Sequence, residues 1–310
     1  MEKIRIALAN RVAGTAPVFS ALEGGYFKEN GLDPELIDYQ GHSRSLPAVI
    51  AGEADFTNAV SPELITVNVR DGGDAVIVAS AISQSAQQIS ARPGLFNRED
   101  LRGKRWGILA RGDADECSIA MTFERWGWNI DKDIKLVVVG TGGSRLDLLL
   151  DETKVDVAIM HAPEPFWAKQ RGWNLVEDLG HLGVPFQNSC AATTRRTLDT
   201  RQDLVLQYVR AYCQGVYRFR TDPDFGMHVL EKYCRETDRT ILKMTYVMYS
   251  RFFGGMMFPT LEGIRMACKI LYQRGIINRL PAPEEFADTG PVVQLEKEGF
   301  FAYMMGLGNE

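Results

Sequence analysis

The sequence predicts an α/β fold made of two sets of alternating strands and helices. The chain has 310 residues, a length that suits roughly two domains of about 150 residues each. Short apolar runs rich in Val and Ile alternate with segments of helical periodicity. Loops of a few residues that contain Gly, Pro or Asn separate the two kinds of segment. Such alternation favours mainly parallel sheets with helices packed on them.

In the first set, four apolar runs are predicted to be strands and three segments to be helices. Gly24 and Gly72 follow the last periodic residues of two of these helices, and glycine is the residue preferred at helix ends. The predicted strands are residues 4–8, 33–38, 54–57 and 75–82, and the predicted helices are residues 16–23, 45–51 and 62–70.

The second set begins after a polar, turn-rich crossing near Arg92. Its predicted strands are residues 105–109, 135–139, 155–160 and 174–178, and its predicted helices are residues 115–126, 144–151 and 163–170. The chain is predicted to be largely helical over residues 201–279. The final segment carries Pro281, Pro283 and Pro291 and is expected to wrap back over the surface.

The composition excludes several classes of site. The formal net charge is −5 and no sustained Lys/Arg run occurs, so a nucleic-acid partner is not expected. The five cysteines are odd in number and widely spaced, which fits neither a disulfide framework nor a zinc motif. No P-loop, dinucleotide fingerprint or metalloprotease motif occurs. The sequence therefore predicts no metal and no cofactor.

The N-terminal sequence bears on the cellular compartment of the protein. In "MEKIRIALANRVAG" the apolar run is short and is interrupted by Arg5, unlike the core of a secretory signal. No apolar run approaches the roughly 20 residues that a membrane-spanning helix needs, so no membrane span is expected. The chain as written is expected to be cytoplasmic, in keeping with five free cysteines. It would be periplasmic or extracellular if a leader had been removed.

Four motifs in order carry a family resemblance. They are "IRIALANRVAGTAPVFSALEGGYFKENGLDPELIDY" at 4–39, "LPAVIAGEADFTNAV" at 46–60, "REDLRGKRWGI" at 98–108 and "LLLDETKVDVAIMHAPEPFWAKQRG" at 148–172. The pattern resembles the type II periplasmic-binding-protein fold, specifically its NMT1/SsuA/TauA/ThiY-like group of ABC-transporter substrate-binding proteins. That group includes receptors for nitrate, sulfonate, taurine and pyrimidine uptake, which deliver their solute to an ABC permease.

The resemblance implies two doubly wound α/β lobes joined by two crossovers, near residues 83–92 and 185–192. Lobe 1 would comprise residues 1–87 and 190–310, including the C-terminal helices, and lobe 2 residues 88–189. A small-molecule ligand would bind between the lobes.

The stretch "VIAGEADFTNAVSPE" places a helix start directly after a strand. Ser61 is a favoured N-cap residue, Pro62 suits the first helical position, and Glu63 complements the positive end of the helix dipole. Residues 58–61 would then present backbone N–H groups and two polar side chains to the cleft. The alternative is an ordinary helix cap at the surface.

The candidate ligand-binding residues follow the carboxyl ends of the predicted strands, where ligands of doubly wound sheets bind. Arg11 and Arg111 would grip a carboxylate or sulfonate with paired N–H donors, or would each pair with a nearby surface acid. The turn at 141–144 resembles an anion nest or a plain tight turn. The full set is Asn10, Arg11, Gly41, His42, Asn58, Ser61, Ser83, Gln84, Arg111, Asp115, Glu116 and His161.

Two of the four histidines, His42 and His161, follow predicted strands in different lobes. Closure would bring them to one ligand, where imidazole donates, accepts or moves a proton. If the protein is an enzyme, the catalytic candidates are His42, His161 and Glu164. As an alternative, both histidines would only hydrogen-bond. Cys117 lies near a helix start, but the neighbouring acids disfavour a thiolate nucleophile there.

Two functions remain open at this point. The first is binding of an anionic or aromatic/heterocyclic solute in the interlobe cleft, as an ABC-transporter substrate-binding-like protein. The alternative is a cytoplasmic enzyme on the same fold, with lyase, decarboxylase or hydrolase-type proton-transfer chemistry on a small carboxylate. In that case a closed cleft would exclude water while the histidines act.

Overall fold

A computed structural model describes residues 1–39, 41–140 and 144–306. Its strands alternate with helices, as the sequence predicts. In chain order the strands are β1 Glu2–Leu8, β2 Leu32–Asp38, β3 Phe56–Ala59, β4 Ala75–Ser80, β5 Gln88–Ala91, β6 Arg105–Ile108, β7 Lys135–Val138, β8 Val157–Met160, β9 Asn174–Asp178 and β10 Cys190–Thr194.

The helices of the described residues vary in length, and the longest, of 20 residues, lies in the C-terminal region. In chain order they are α1 Ala16–Glu23, α2 Tyr26–Glu29, α3 His42–Ile50, α4 Ser61–Asp71, α5 Ala114–Trp126, α6 Arg145–Leu149, α7 Glu164–Gln170, α8 Arg195–Thr200, α9 Gln202–Thr221, α10 Pro223–Cys234, α11 Arg239–Phe252, α12 Leu261–Gln273, α13 Gly290–Lys297 and α14 Phe300–Met304. Short 3₁₀ turns cover Ala13–Thr15, Arg98–Leu101, Leu179–Leu182 and Pro283–Glu285.

The strands form two five-stranded sheets. The first sheet has the order β2-β1-β3-β10-β4 and the second the order β7-β6-β8-β5-β9. In both, the strands around β1 and β6 pair in parallel. This arrangement confirms the predicted two α/β units with a helical C-terminal region.

Each sheet also holds one interior antiparallel strand, β10 in the first and β5 in the second. Both strands lie at the expected crossovers, where the sequence analysis predicted no strand. Their sequences, Gln-Ile-Ser-Ala and Cys-Ala-Ala-Thr-Thr, are short and rich in small or polar residues, which hides a strand from hydropathy. Pairing on both sides satisfies the backbone groups of these strands. Because the strands lie inside their sheets, their polar residues are buried as well.

Two helices begin earlier than predicted, so His42 and Ser61 lie in the first helical turn rather than before it. Helix α3 begins at His42 rather than at residue 45, after Gly41 at φ 136°, a conformation that favours glycine. Helix α4 begins at Ser61, and Val60 occupies the N-cap position. The prediction that Ser61 caps this helix is therefore wrong.

Apolar packing is arranged in several clusters. The largest lies between the first sheet and helices α1, α9 and α11. Another lies around the second sheet, with Trp106, Phe123 and Trp128 at its centre. A third cluster joins α4, α5 and α12, so that Leu64, Cys117 and Cys268 pack together across the junction between the two units.

The C-terminal segment is not a surface wrap, contrary to the expectation from its prolines. Helices α13 and α14 bury Val292, Leu295, Phe300 and Phe301 in the largest cluster. Pro283 starts a 3₁₀ turn and Pro291 lies in the first turn of α13, because proline suits the first turn of a helix. No helix in the described residues is long and apolar enough to cross a membrane.

Candidate functional site

The two units meet where the first turns of α4 and α5 face each other. The Ala114 N–H of α5 donates to Glu63 Oε1 of α4 at 3.3 Å. Asp113 caps α5 by accepting the Glu116 N–H at 2.8 Å, and its second oxygen accepts the Leu109 and Ala110 N–H groups. A carboxylate from each unit therefore lies at this junction.

Beside this contact, Arg145 at the start of α6 is held by three acceptors. Its Nη1 donates to Asp115 Oδ2 at 2.8 Å, its Nε lies 3.0 Å from Glu164 Oε1, and its Nη2 donates to the Ile159 carbonyl at 2.9 Å. His161 Nε2 lies 3.3 Å from Asp115 Oδ1. Asp115 thus binds a guanidinium with one oxygen and an imidazole with the other.

The charged groups of this network stabilise each other's ionised forms. Burial by itself would raise the pKa of Asp115, but the charge of Arg145 and the hydrogen bond with His161 outweigh burial and hold that pKa well below its ordinary value. Arg145 is fully cationic, since Asp115 and Glu164 raise its pKa despite burial. A buried ion pair with several hydrogen bonds is geometrically fixed.

His42 reaches this site from the first unit. Its burial and the nearby charge of His161 lower its pKa to about 4, so the ring is neutral near pH 7. Its Nδ1 atom is buried and has no hydrogen-bond partner among the described residues. A neutral imidazole with a vacant nitrogen is able to donate or accept one hydrogen bond.

The pKa values of Glu63 and Asp113 are shifted upward, whereas that of His42 is shifted downward. Burial, with the neighbouring charges of Asp113 and Asp115, raises the pKa of Glu63 to about 8. Burial and Asp115 also raise the pKa of Asp113. Glu63 Oε2 is buried without a hydrogen-bond partner in the described chain. We call His42, Glu63, Asp113, Asp115, Arg145, His161 and Glu164 the cleft cluster.

Several sequence-predicted ligand residues pair with each other or with neighbours instead. Arg11 Nε donates to Asp38 Oδ2 at 2.8 Å, and Arg111 lies 2.9 Å from Glu116. Arg11 therefore pairs with an exposed acid, as its alternative expected, whereas the acid that pairs with Arg111 is buried. Glu116 is fully buried and also accepts from Arg274 Nε at 2.9 Å, which ties α5 to the end of α12.

The other predicted residues line the first sheet's edge and the crossover. Asn10 Oδ1 accepts from Thr15 Oγ1 at 2.9 Å, and Asn58 Oδ1 accepts from Ser189 Oγ at 3.2 Å. Ser83 Oγ lies 3.1 Å from Ser80 Oγ. Gln84 pairs with Pro185 in the opposite crossover and does not join the cleft cluster.

Ser61 does not cap its helix because the second crossover engages it. Its N–H and its hydroxyl both donate to the Gln187 carbonyl, at 3.1 and 2.9 Å. The Gln187 side chain is fully buried, donates to Ser80 Oγ at 2.8 Å and accepts the Thr260 N–H at 2.8 Å. This glutamine fixes the crossover against three elements of the first unit.

The NMT1/THI5-like family profile matches residues 13–225, more than half of the chain. The chain belongs to the NMT1/THI5-like family. This confirms the family resemblance. Among curated proteins, none matches the chain in sequence.

Solved structures share the fold of this NMT1/THI5-like protein over nearly its whole length. The alkanesulfonate-binding protein SsuA from Xanthomonas axonopodis pv. citri, bound to MOPS, has a TM-score of 0.77 at 13% identity, covering 93% of this chain and 99% of that one. A putative sulfonate-binding SsuA from Methylobacillus flagellatus KT has a TM-score of 0.75 at 16% identity, covering 98% and 96%. The desulfurization enzyme DSZB, as a Cys-to-Ser variant with biphenyl-2-sulfinic acid, has a TM-score of 0.69 at 14% identity, covering 96% and 99%. At these identities the likeness establishes the fold alone.

Within the NMT1/THI5-like fold, sequence reasoning missed three residues that organise the site: Glu63 as a cleft group, Arg145 and Gln187. Arg145 follows the turn at 141–144 directly, so its position after a predicted strand was a usable signal. Gln187 offered none, because its role depends on a crossover that contacts distant elements. Residues 141–143 of the expected anion nest lie outside the described residues.

The family fold brings together His42, Asp115, His161 and Glu164 from the predicted set, and it leaves Arg11 and Gln84 apart from them. No group of three or more metal-ligating side chains in the described ranges has the geometry to hold a metal ion. The cleft cluster offers a fixed cation, a carboxylate of raised pKa and a vacant imidazole nitrogen. These groups suit hydrogen bonding to a small polar molecule.

Proposed function

We propose that the protein binds a small molecule between its two lobes and serves as the substrate-binding component of an ABC-type import system. The cleft cluster carries this proposal, because both units contribute polar groups to it from the first turns of helices. His42 Nδ1 and Glu63 Oε2 are buried and unpartnered among the described residues. Buried polar atoms are normally hydrogen-bonded, so a ligand is the expected partner.

Of the two ligand classes that the sequence allows, the charge of the cluster favours the aromatic or heterocyclic one. Arg145 divides its charge between Asp115 and Glu164. Glu63 and Asp113 have no cationic partner in the described part of the chain. A heterocycle with N–H donors and ring acceptors complements these carboxyl groups of raised pKa, whereas a strongly anionic solute would oppose their ionisation further and would offer them no N–H donor.

The first test is native mass spectrometry of protein purified from its own host. Wild-type protein is expected to carry a small molecule, and the double variant His42→Ala/His161→Ala is expected to carry none. His228→Ala is the matched control, since His228 is an exposed histidine paired with Glu23. Equal occupancy in all three proteins would contradict binding in the cleft.

A titration then separates the ligand classes. Cytosine is expected to bind more tightly than methanesulfonate, which offers a sulfonate and no N–H donor. The reverse order would assign the anionic class and leave the cleft as the binding site.

A second function, an enzyme with proton-transfer chemistry, is favoured by one observation. Asp115 orients His161, and neutral His42 lies near it, which is an arrangement suited to general acid–base catalysis. If the retained molecule changes mass during incubation with wild type but not with the double histidine variant, the protein is an enzyme. An unchanged mass supports the receptor.

A receptor of this kind would deliver its solute to an ABC permease. Crosslinking in host membranes, followed by identification of the captured membrane protein, tests that partner. Capture of a permease only when solute is present would support the assignment, and capture of no transporter subunit would oppose it.

A further inference from the structure

A second cavity of about 680 Å³ lies between helix α11 and the second sheet. It shares no residue with the cleft cluster. Small-molecule sites typically span roughly 300–1,000 Å³ and are mostly apolar, so this groove has the size and lining of such a site. The residues that matter for its chemistry are Gln88, Leu175, Lys243, Met244, Val247 and Arg251.

Helix α11 has two apolar faces. One face buries Leu242, Tyr246 and Tyr249 in the largest apolar cluster. The other presents Met244 and Val247 to the groove, where they are 38% and 37% exposed. An ordinary surface helix has a single apolar stripe. The second stripe therefore leaves apolar surface available to an occupant.

Across the groove, the second sheet adds an unsatisfied acceptor. Gln88 on β5 is only 3% exposed, and its Nε2 faces Asp178 Oδ2 at 3.4 Å and Met248 Sδ at 3.2 Å. Asp178 fixes the orientation of the amide, since a flipped amide would turn its oxygen toward a carboxylate. Gln88 Oε1 is then buried with no partner among the described residues. It requires an N–H or O–H donor from an occupant.

The rim of the groove is cationic. Lys243 and Arg251 lie about two helical turns, or roughly 12 Å, apart along α11. Both are exposed and line the groove, and neither forms an ion pair with an acid in the described ranges. Asp178, the acid of the lining, accepts the Gly180 N–H at 3.0 Å and the Gln88 amide N–H. An anionic group of the occupant would complement both cations.

We propose that this groove is a second small-molecule site, and that it takes an amphipathic organic anion carrying a hydrogen-bond donor. The apolar body packs on Leu175, Met244 and Val247, the donor binds Gln88 Oε1, and the anionic group lies between Lys243 and Arg251. The proposal does not rest on the ligand in the cleft, because no residue of the cleft cluster lines the groove; of the sequence-predicted ligand residues, Gln84 does line it.

The test uses two fluorescent probes that differ in charge. 8-Anilinonaphthalene-1-sulfonate has an aromatic body, an N–H donor and a sulfonate, and N-phenyl-1-naphthylamine lacks only the sulfonate. Full-length wild-type protein is expected to bind each probe at one site. The double variant Lys243→Glu/Arg251→Glu is expected to weaken the binding of the sulfonate probe by about tenfold, because two cations beside the sulfonate become anions. The affinity for the neutral probe is expected to change by less than about twofold.

Two further variants define the site. Val247→Trp fills the groove and is expected to weaken both probes, and circular dichroism melting checks its fold. Arg239→Glu reverses a single charge on the first turn of α11, outside the groove, and is expected to leave both affinities unchanged. The proposal is overturned if the double charge variant binds the sulfonate probe as tightly as wild type does. It is also overturned if His42→Ala/His161→Ala abolishes the binding of that probe.

Discussion

At the residue scale, Asp115 does the most to fix the geometry of the cleft. Its two oxygens hold Arg145 and His161, and its side chain is only 3% exposed. A buried charge is tolerated when it is paired and hydrogen-bonded, and removing one partner leaves the other charge uncompensated. The network therefore depends on this one carboxylate.

Replacing the carboxylate tests that dependence. Asp115→Asn is expected to lower the free energy of unfolding by about 2 kcal/mol, since Arg145 keeps Glu164 as a partner. Asp147→Asn is the control, because Asp147 makes an exposed pair with Arg171 that is worth less than about 1 kcal/mol. Urea unfolding of both variants measures the difference. Equal losses would show that the cleft pair is no stronger than a surface pair.

Cys117 illustrates a residue whose chemistry was readable from its neighbours. Burial and the surrounding charges of Glu63, Asp113, Glu116 and Asp115 raise its pKa well above the ordinary value. The thiol is protonated near neutral pH, as the acidic sequence around it predicts.

At the element scale, the contact between α1 and α9 depends on the absence of a side chain. A Cβ at Gly215 of α9 would lie 2.5 Å from the Ala21 nitrogen and 2.8 Å from the Pro17 carbonyl oxygen. Both atoms belong to the backbone of α1, which cannot move away as a flexible side chain would. The glycine allows the two helices to approach closely and bury their apolar faces.

Gly215→Ala is expected to destabilise the protein by about 1–3 kcal/mol, because overpacking outweighs the better helix propensity of alanine. Gly255→Ala is the matched control, since its nearest neighbour would be Arg220 Nη1 at 3.9 Å. Thermal unfolding measures both variants. A loss at Gly255 as large as that at Gly215 would show that helix packing is not the cause.

At the scale of the whole molecule, the junction between the two units combines apolar packing with titratable groups. Cys117 and Leu64 pack across it, and Glu63 accepts the Ala114 N–H within it. Opening the cleft would return Glu63 to water, where its pKa has the ordinary value of 4.5 rather than about 8. The closed form is therefore linked to protonation of Glu63.

The sign of this linkage gives a pH prediction. Because the pKa of Glu63 is raised in the closed form, its contribution to closure is complete below about pH 4.5 and is lost as the pH rises through about 8. The lowered pKa of His42 acts in the opposite direction below about pH 6.5, but its shift is the smaller of the two. The facing groups are Asp113 and Asp115 of α5, and the raised pKa of Asp113 acts in the same direction. Small-angle X-ray scattering of ligand-free protein is expected to show a larger radius of gyration at pH 9 than at pH 5.

Glu63→Gln keeps an acceptor for the Ala114 N–H but does not ionise. This variant is expected to lose most of the pH-dependent change in radius of gyration. Glu99→Gln changes an exposed acid with 68% side-chain accessibility and is expected to behave like wild type. A pH response that survives in Glu63→Gln would assign the linkage to another group.

Local patterns were sufficient for most elements of the fold. The alternation of Val- and Ile-rich runs with glycine-ended helices predicted α1 and β9 to the residue and most other elements within a few residues. Hydropathy missed β5 and β10, because their small and polar residues become buried only when neighbouring strands pair with them. Proline content misjudged α13 and α14, since proline at a helix start does not oppose packing.

The sequence alone determined the family, the order of the elements and the strand-to-helix connections near which His42, Asp115 and His161 lie. The tertiary structure alone decided which polar groups meet. Arg11 pairs with Asp38, whereas Arg145 gathers Asp115 and Glu164. Periodicity acts along the chain and reports which face of an element is apolar. Charge pairing and burial act between segments distant in sequence, so they are set only when the two units pack against each other.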